Sequence, residues 1–153
     1  EKHNLPRMAS IQNEYSLLCR LYDLDMAEMT HHEQVGLLSF SPLATGLLTG
    51  KYSADGQPPA GSRASISSDL GGRTTQRVWP AVAAYQDIAD RFGLDLTAMS
   101  LAWCMQRSFM TSTIFGATSL DQMKQSLKAA DMTLDQQVLT AIDSAHKAHP
   151  MPY

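Results

Sequence analysis

The chain has 153 residues, 44% hydrophobic and 18% charged, enough apolar material for one ordinary domain and too much for a disordered polymer. Its formal net charge of -3 at pH 7 excludes a general nucleic-acid binder and a protein held by charge to acidic membranes, since both need a basic face. No apolar run reaches the roughly 20 residues of a membrane span, Glu1-Lys2-His3-Asn4 does not open a signal peptide, and two cysteines are too few for a disulfide framework or a metal cluster; a reducing cytoplasm is the expected compartment.

Arg7 to Asn13 reads as a short strand, broken by Asn13-Glu14-Tyr15-Ser16. A helix is expected from Asp25, which caps it with Glu28 three residues later, to about Gln34. Val35 to Phe40 is the clearest strand, mostly apolar and too short for a buried helix. It stops in Ser41-Pro42-Leu43-Ala44-Thr45-Gly46-Leu47-Leu48-Thr49-Gly50-Lys51-Tyr52, where two glycines permit close backbone approach and a lysine supplies positive charge. That composition suits an anion-binding turn at a strand end, and equally an ordinary surface loop.

The connection continues to Arg73 through Pro58-Pro59, Gly61 and Gly71-Gly72, a length that usually marks a functional or mobile loop. Thr75 to Phe92 places Val78, Val82, Tyr85, Ile88 and Phe92 at helical steps before Gly93, with Pro80 in the first turns. A second helix spans Thr97 to Arg107, and the β-branched run Thr111 to Phe115 reads as a strand. Capping boxes at Ser119 to Gln122 and Thr133 to Gln136 start two more helices, and His149 to Tyr153 is irregular. Strands alternating with helices imply a parallel α/β sheet with its ligand site at the strand carboxyl ends. There, Gly116-Ala117-Thr118-Ser119 leads straight into a helix, whose first amides favour a phosphate.

Taken together, Ile11-Gln12-Asn13-Glu14-Tyr15-Ser16-Leu17-Leu18, Phe40-Ser41-Pro42-Leu43-Ala44, Leu48-Thr49-Gly50-Lys51-Tyr52, Pro59-Ala60-Gly61-Ser62-Arg63, Leu101-Ala102-Trp103 and Gly116-Ala117-Thr118 with Asp121-Gln122 occur in one order across almost the whole chain. That series resembles the aldo-keto reductases, in the branch of Tas-like reductases and voltage-gated potassium channel β-subunits. The resemblance implies a partial (β/α)8 TIM barrel, strands six to eight with the terminal helices, and residues 1–153 as the carboxyl-terminal half of an NADP-dependent oxidoreductase domain.

By the same resemblance, Gln12 would hold the nicotinamide carboxamide of NADP(H) and Phe40 would stack on its ring, where the family commonly has Tyr or Trp. Ser41, Pro42, Leu43 and Ala44 would line the pyrophosphate path, and Lys51 and Arg63 would reach phosphates. Ile114, Gly116 and Thr118 would embrace the adenosine phosphate, with Gln122 and Gln125 at the adenosine end. Gln125 and Ser126 depart from the family's usual Glu and Asn. The family's catalytic Asp, Tyr, Lys and His lie on earlier strands, so this chain is expected to carry no catalytic residue. Its implied partners are a small carbonyl substrate in the complete barrel and the missing amino-terminal half. Isolated, with two sheet edges unpaired, it is expected to be poorly stable or self-associating.

Tyr15 and Tyr52 fall in strings that read as packing and loop structure rather than as proton donors. His31-His32 lacks a third ligand and reads as a solvated helical face, not a metal site. The nine methionines read mostly as core filler.

Overall fold

The computed structural model describes residues 5–153; Glu1-Lys2-His3-Asn4, read above as no signal-peptide opening, lies outside the described residues. Strands β1 (Ser10–Glu14), β2 (Gly36–Phe40) and β3 (Met110–Thr113) form one sheet in the order β1-β2-β3, and both neighbouring pairs are parallel. The ladder sets Ser10 against Gly36 and Glu14 against Phe40, with no slip. Between β2 and β3 the register shifts: Leu37 pairs with Met110 but Leu38 with Ser112, which leaves Thr111 as an extra residue. Gly36 makes room for it, because a Cβ there would collide with Thr111 Oγ1.

The connections are helical. They are α1 (Asp25–Glu33), α2 (Arg63–Ile66), α3 (Val78–Phe92), α4 (Leu96–Met105), α5 (Leu120–Leu127) and α6 (Gln136–Ala148). The apolar stripe of α3 buries Val78, Ala81, Val82, Tyr85, Ile88 and Ala89, and Gly93 ends the helix at φ 65°, a conformation that glycine adopts without strain. Helix α4 is apolar on all sides and buried from Leu96 to Cys104, capped by Asp95, whose carboxylate accepts from the Ala98 amide. It packs against β3, α3 and α5 as the central helix of the layer.

Trp103 of α4 stacks on Tyr15, with ring centroids 5.2 Å apart and planes 11° from parallel. Tyr22 and Phe109 meet Tyr15 edge-on. The Arg20 and Arg107 guanidiniums lie 4.9 and 5.3 Å from the Trp103 ring. Asp23 balances them, accepting from Tyr15 Oη at 2.6 Å, Arg20 Nε at 2.7 Å and Arg107 Nη2 at 3.4 Å. Every charge in this cluster has a partner, which is what permits charge so close to a core.

Several boundaries differ from expectation. The first strand begins at Ser10, since residues 5–9 are exposed and give the sheet the Ala9 carbonyl, which accepts from Gly36, while Arg7 pairs with Glu33. Asp25 does not cap α1: the N-cap position is Leu24, and Asp25 and Glu28 lie in the first turn, where their charge favours the free amides. The last helix starts after Asp135, whose Oδ1 accepts from Gln137 and Val138, two residues beyond the predicted Thr133 cap. The third strand is shifted to Met110–Thr113. The long connection contains a 3-10 turn at Ala44–Thr49 and the short helix α2. Met99 is fully buried, but Met8, Met29, Met105 and Met123 are exposed, so the methionines are not uniformly core.

Alternation along the strands turns Leu37 and Ser39 toward the helices, where both are 0% exposed, while Gln12, Phe40 and Ser112 on the opposite side are open to solvent. All-parallel sheets normally have both faces covered. A parallel sheet with helices on one face and a bare second face is one arc of a (β/α)8 barrel, seen without the strands that would close its interior.

Candidate site at the carboxyl ends of the strands

Parallel pairing brings the carboxyl ends of all three strands to the same edge of the layer. Phe40 lies beside Glu14, the Tyr15 amide donates to the Phe40 carbonyl at 3.3 Å, and the Ile114 amide donates to the Ser39 carbonyl at 2.8 Å. Gln12 and Phe40 thus fall on adjacent strands and Ile114 directly after β3, all three exposed, with Phe40 at 39% and Ile114 at 41%.

Beyond Phe40 the backbone enters the left-handed region repeatedly: Ser41 has φ 52°, Ala44 46°, Thr45 57° and Gly46 104°. Such a run persists only where surroundings over-determine it. Here the Ala44 amide donates to Ser41 O at 2.8 Å, Gly46 and Leu48 both donate to Leu43 O, and Leu47 and Leu48 are fully buried anchors. The turn holds Pro42 and Ala44 in and leaves Ser41 and Leu43 half-buried.

Lys51 returns over this turn. A Cβ on Gly46 would stand 2.9 Å from Lys51 Cε and 3.1 Å from its Nζ, so the lysine end lies close over the turn, where φ 104° favours glycine. The ammonium also lies 5.1 Å from the Tyr52 ring. Tyr52 is buried, and its hydroxyl accepts from the Ala64 amide at 3.2 Å, which ties the Lys51 stretch to the helix that carries Arg63. Lys51 and Arg63 are both exposed, and among the described residues neither is in an ion pair. Two free cations on one stapled loop suit an anion.

The β3–α5 turn is arranged differently. Gly116 and Thr118 are exposed, Ser119 caps α5 by accepting from Gln122, and Gln122 Oε1 accepts from the Thr118 amide at 2.9 Å and hydroxyl at 3.0 Å. Gln125 turns away and donates to Asp95 at 2.7 Å, joining α5 to the cap of α4. The strand and loop residues therefore share one end of the sheet, whereas the Gln125 amide is engaged in packing.

Neither tyrosine set aside in the sequence serves this end. Tyr15 is fully buried, and burial followed by the Asp23 carboxylate pushes its phenol well above the ordinary range, so it stays protonated. The thiols of Cys19 and Cys104 are free and buried, and burial raises both. His31 and His32 are exposed, and among the described residues no cluster could hold a metal ion. Two cavities lie elsewhere: one of about 360 Å3 at the outer edge of β3, near Met105, Met110 and Leu127, and one of about 770 Å3 near Asp23, His31 and Arg107.

Sequence reasoning missed a trio at this end. Arg73 grips the Glu14 carboxylate with Nε at 3.0 Å and Nη2 at 2.7 Å, and Tyr153 Oη donates to the same carboxylate at 3.1 Å. Glu14 stood in a quoted string, but nothing in the sequence joined it to a residue 59 positions away.

Parallel strands joined by helices, with polar and glycine-bearing loops gathered at the carboxyl ends, define a protein of the βα-barrel class. The chain belongs to the Aldo/keto reductase family, a family of oxidoreductases, whose profile matches residues 1–147. It is 41% identical to "Protein tas" of Escherichia coli over 152 residues, 99% of this chain and 44% of that protein. It is 33% identical to a "Probable voltage-gated potassium channel subunit beta" of Arabidopsis thaliana over 125 residues, 79% of this chain and 38% of that protein. An "Uncharacterized oxidoreductase YrpG" of Bacillus subtilis is 26% identical over 143 residues, 94% of this chain and 42% of that protein. The chain thus spans less than half the length of these relatives. Among the described residues no helix is long and apolar enough to cross a membrane.

Proposed function

We propose that the chain is the cofactor-binding, carboxyl-terminal portion of an NADP(H)-dependent aldo-keto reductase that reduces aldehydes or ketones. The observation that carries this is the loop after β2: a left-handed turn at Ala44 to Gly46 with Lys51 folded over it, joined through Tyr52 to Arg63, beside an exposed Phe40 ring. The donor set fits a dinucleotide phosphate. Two unpaired cations match phosphate charge, and an open aromatic face matches a flat ring.

In this proposal Gln12 and Phe40 orient the nicotinamide, Ser41, Pro42, Leu43 and Ala44 line the pyrophosphate, and Lys51 and Arg63 neutralise phosphate charge. Ile114, Gly116, Thr118 and Gln122 meet the adenosine end. Gln125 reaches it only by leaving Asp95, and Gln122 frees the Thr118 amide only by swinging away. The bound cofactor supplies a hydride to the carbonyl carbon, and proton delivery belongs to residues outside this chain. Its partners are then the amino-terminal part of the barrel and a small carbonyl compound. The buried, free thiols fit a reducing cytoplasm.

Titrating NADPH into the chain while following its fluorescence tests this directly. Saturable quenching is expected, with Arg63→Ala weakening NADPH more than NADH by about 1–3 kcal/mol. Absence of binding overturns the proposal for the isolated chain and leaves an inactive fragment. A second function, a non-catalytic NADP-binding or regulatory module, is favoured by the relatives named as channel subunits. It predicts the same binding without aldehyde turnover once the barrel is complete.

A further inference from the structure

The loop between β2 and α3 has a second left-handed run at its far end. Leu70, Gly71 and Gly72 have φ 49°, 72° and 82°, mirroring Ala44, Thr45 and Gly46 at the near end. The near turn is fixed by its own backbone hydrogen bonds and by buried Leu47 and Leu48. The far turn likewise has backbone hydrogen bonds, Leu70 N to Ser67 O at 3.1 Å and Arg73 N to Asp69 O at 2.9 Å; Leu70 is buried, Asp69 Oδ1 accepts from the Gly71 amide at 3.1 Å, and the side chain of Arg73, at the end of the turn, reaches back into it. Arg73 Nη1 donates to the Leu70 carbonyl at 3.0 Å and to that of Gly71 at 3.3 Å.

The other face of the same guanidinium is the one held by Glu14. Nε and Nη2 are engaged bidentately by the carboxylate, which orients the plane and leaves Nη1 directed at the turn. The pair is largely buried, with side chains 15% and 21% exposed. Tyr153 closes the arrangement: its ring lies 5.5 Å from the guanidinium carbon while its hydroxyl donates to Glu14. The Thr75 hydroxyl holds the adjoining Pro152 carbonyl. One arginine thus stitches the end of β1, the return of the loop and the closing segment of the chain.

We propose that Arg73, oriented by Glu14, is a positioning residue that locks the far hinge of the loop carrying Lys51 and Arg63, and so sets how fast a ligand at the strand ends is released. Residues 53–62 are almost wholly exposed, so the loop is held by its two turns and by the hydrogen bond of buried Tyr52 to the Ala64 amide. Glu14 is also the ladder partner of Phe40, so the lock is anchored on the strand pair that presents the aromatic face. The hinge statement stands on this geometry alone; the ligand-release statement rests on the function proposed above.

Hydrogen exchange on the chain without cofactor tests the lock itself. In Arg73→Gln, amides of residues 65–74 are expected to exchange about tenfold faster while those of α4 are unchanged. Glu14→Gln, which keeps the volume and one acceptor, should give a smaller rise in the same segment, and Arg73→Lys should not restore protection because ammonium lacks the fork. Unchanged exchange overturns the proposal. So does an equal rise in α4, which would make the pair a general stabiliser of the fold. For the chain loaded with NADPH, dissociation in Arg73→Gln should speed up about tenfold. Faster hinge exchange without faster release removes the ligand consequence and keeps the lock, whereas a failure to load NADPH strikes the proposed function alone.

Discussion

Two regions within the same fold treat their charges in opposite ways. Around Trp103, Arg20 and Arg107 share Asp23, Tyr15 donates to it, and the aromatic rings fill the remaining space. Around Gly46, Lys51 lies over the turn, exposed and without a counter-ion, and Arg63 likewise stands free among the described residues. A charge that has found its partner within the chain contributes to stability, whereas a positioned charge without one is available to a ligand. The same residue types thus divide by what surrounds them.

The largest effects should come from the closed region. Trp103→Ala removes the central ring and leaves a cavity, so denaturant unfolding should show a loss of about 3–5 kcal/mol. If instead the loss is small, the cluster is not the keystone of the core. Tyr15→Phe keeps the ring stack but deletes a charge-assisted hydrogen bond to Asp23, and a loss of about 1.5–3 kcal/mol is expected in the same measurement. Gly36→Ala sets a methyl against Thr111, with a loss of about 1–3 kcal/mol that Thr111→Ala should largely relieve. Failure of that rescue would separate the bulge from the glycine.

The open region should respond inversely. Lys51→Ala and Arg63→Ala are expected to move stability by less than about 0.5 kcal/mol, since each removes an exposed cation without an ionic partner, while weakening NADPH in the fluorescence titration. A large stability loss from Arg63→Ala would blur the contrast between the two regions. The smallest effect concerns His146, beside Arg20 and Asp143. Burial, and then the charge of Arg20, lowers its pKa below 6.5 in the fold. The unfolded chain therefore binds the proton more readily, so His146 costs stability as pH falls below about 6.5 and costs nothing above it. His146→Gln should flatten that part of the stability–pH curve, read as the unfolding midpoint between pH 7 and pH 5.5.

The order of elements along the chain, the parallel pairing implied by their alternation, and the α3 stripe ending at Gly93 were legible because hydrophobic spacing and a permissive residue encode them locally. So was the Ser119 cap. Asp25 and Thr133 misled because several polar residues near a helix start compete for one cap position, and tertiary placement picks among them. The loop's glycines announced a turn, yet not that Ala44, Thr45 and Leu70 would share left-handed geometry with them, since nothing local favours it in those residues. Glu14, Arg73 and Tyr153 were invisible as a group because their meeting is a product of the fold.

The sheet's bare face and open edges also set a valence. Among the described residues β1 is free on one side and β3 on the other, and continuing the parallel pairing sets one kind of edge against the other. Association that continued the parallel pairing would be head-to-tail, whereas two like edges could meet antiparallel, about a twofold axis. A head-to-tail contact would close into a ring where its rotation allowed it and extend where it did not. Contacts of this kind would show as a sedimentation rate that rises with concentration of the isolated chain, and a single species at all concentrations would rule them out.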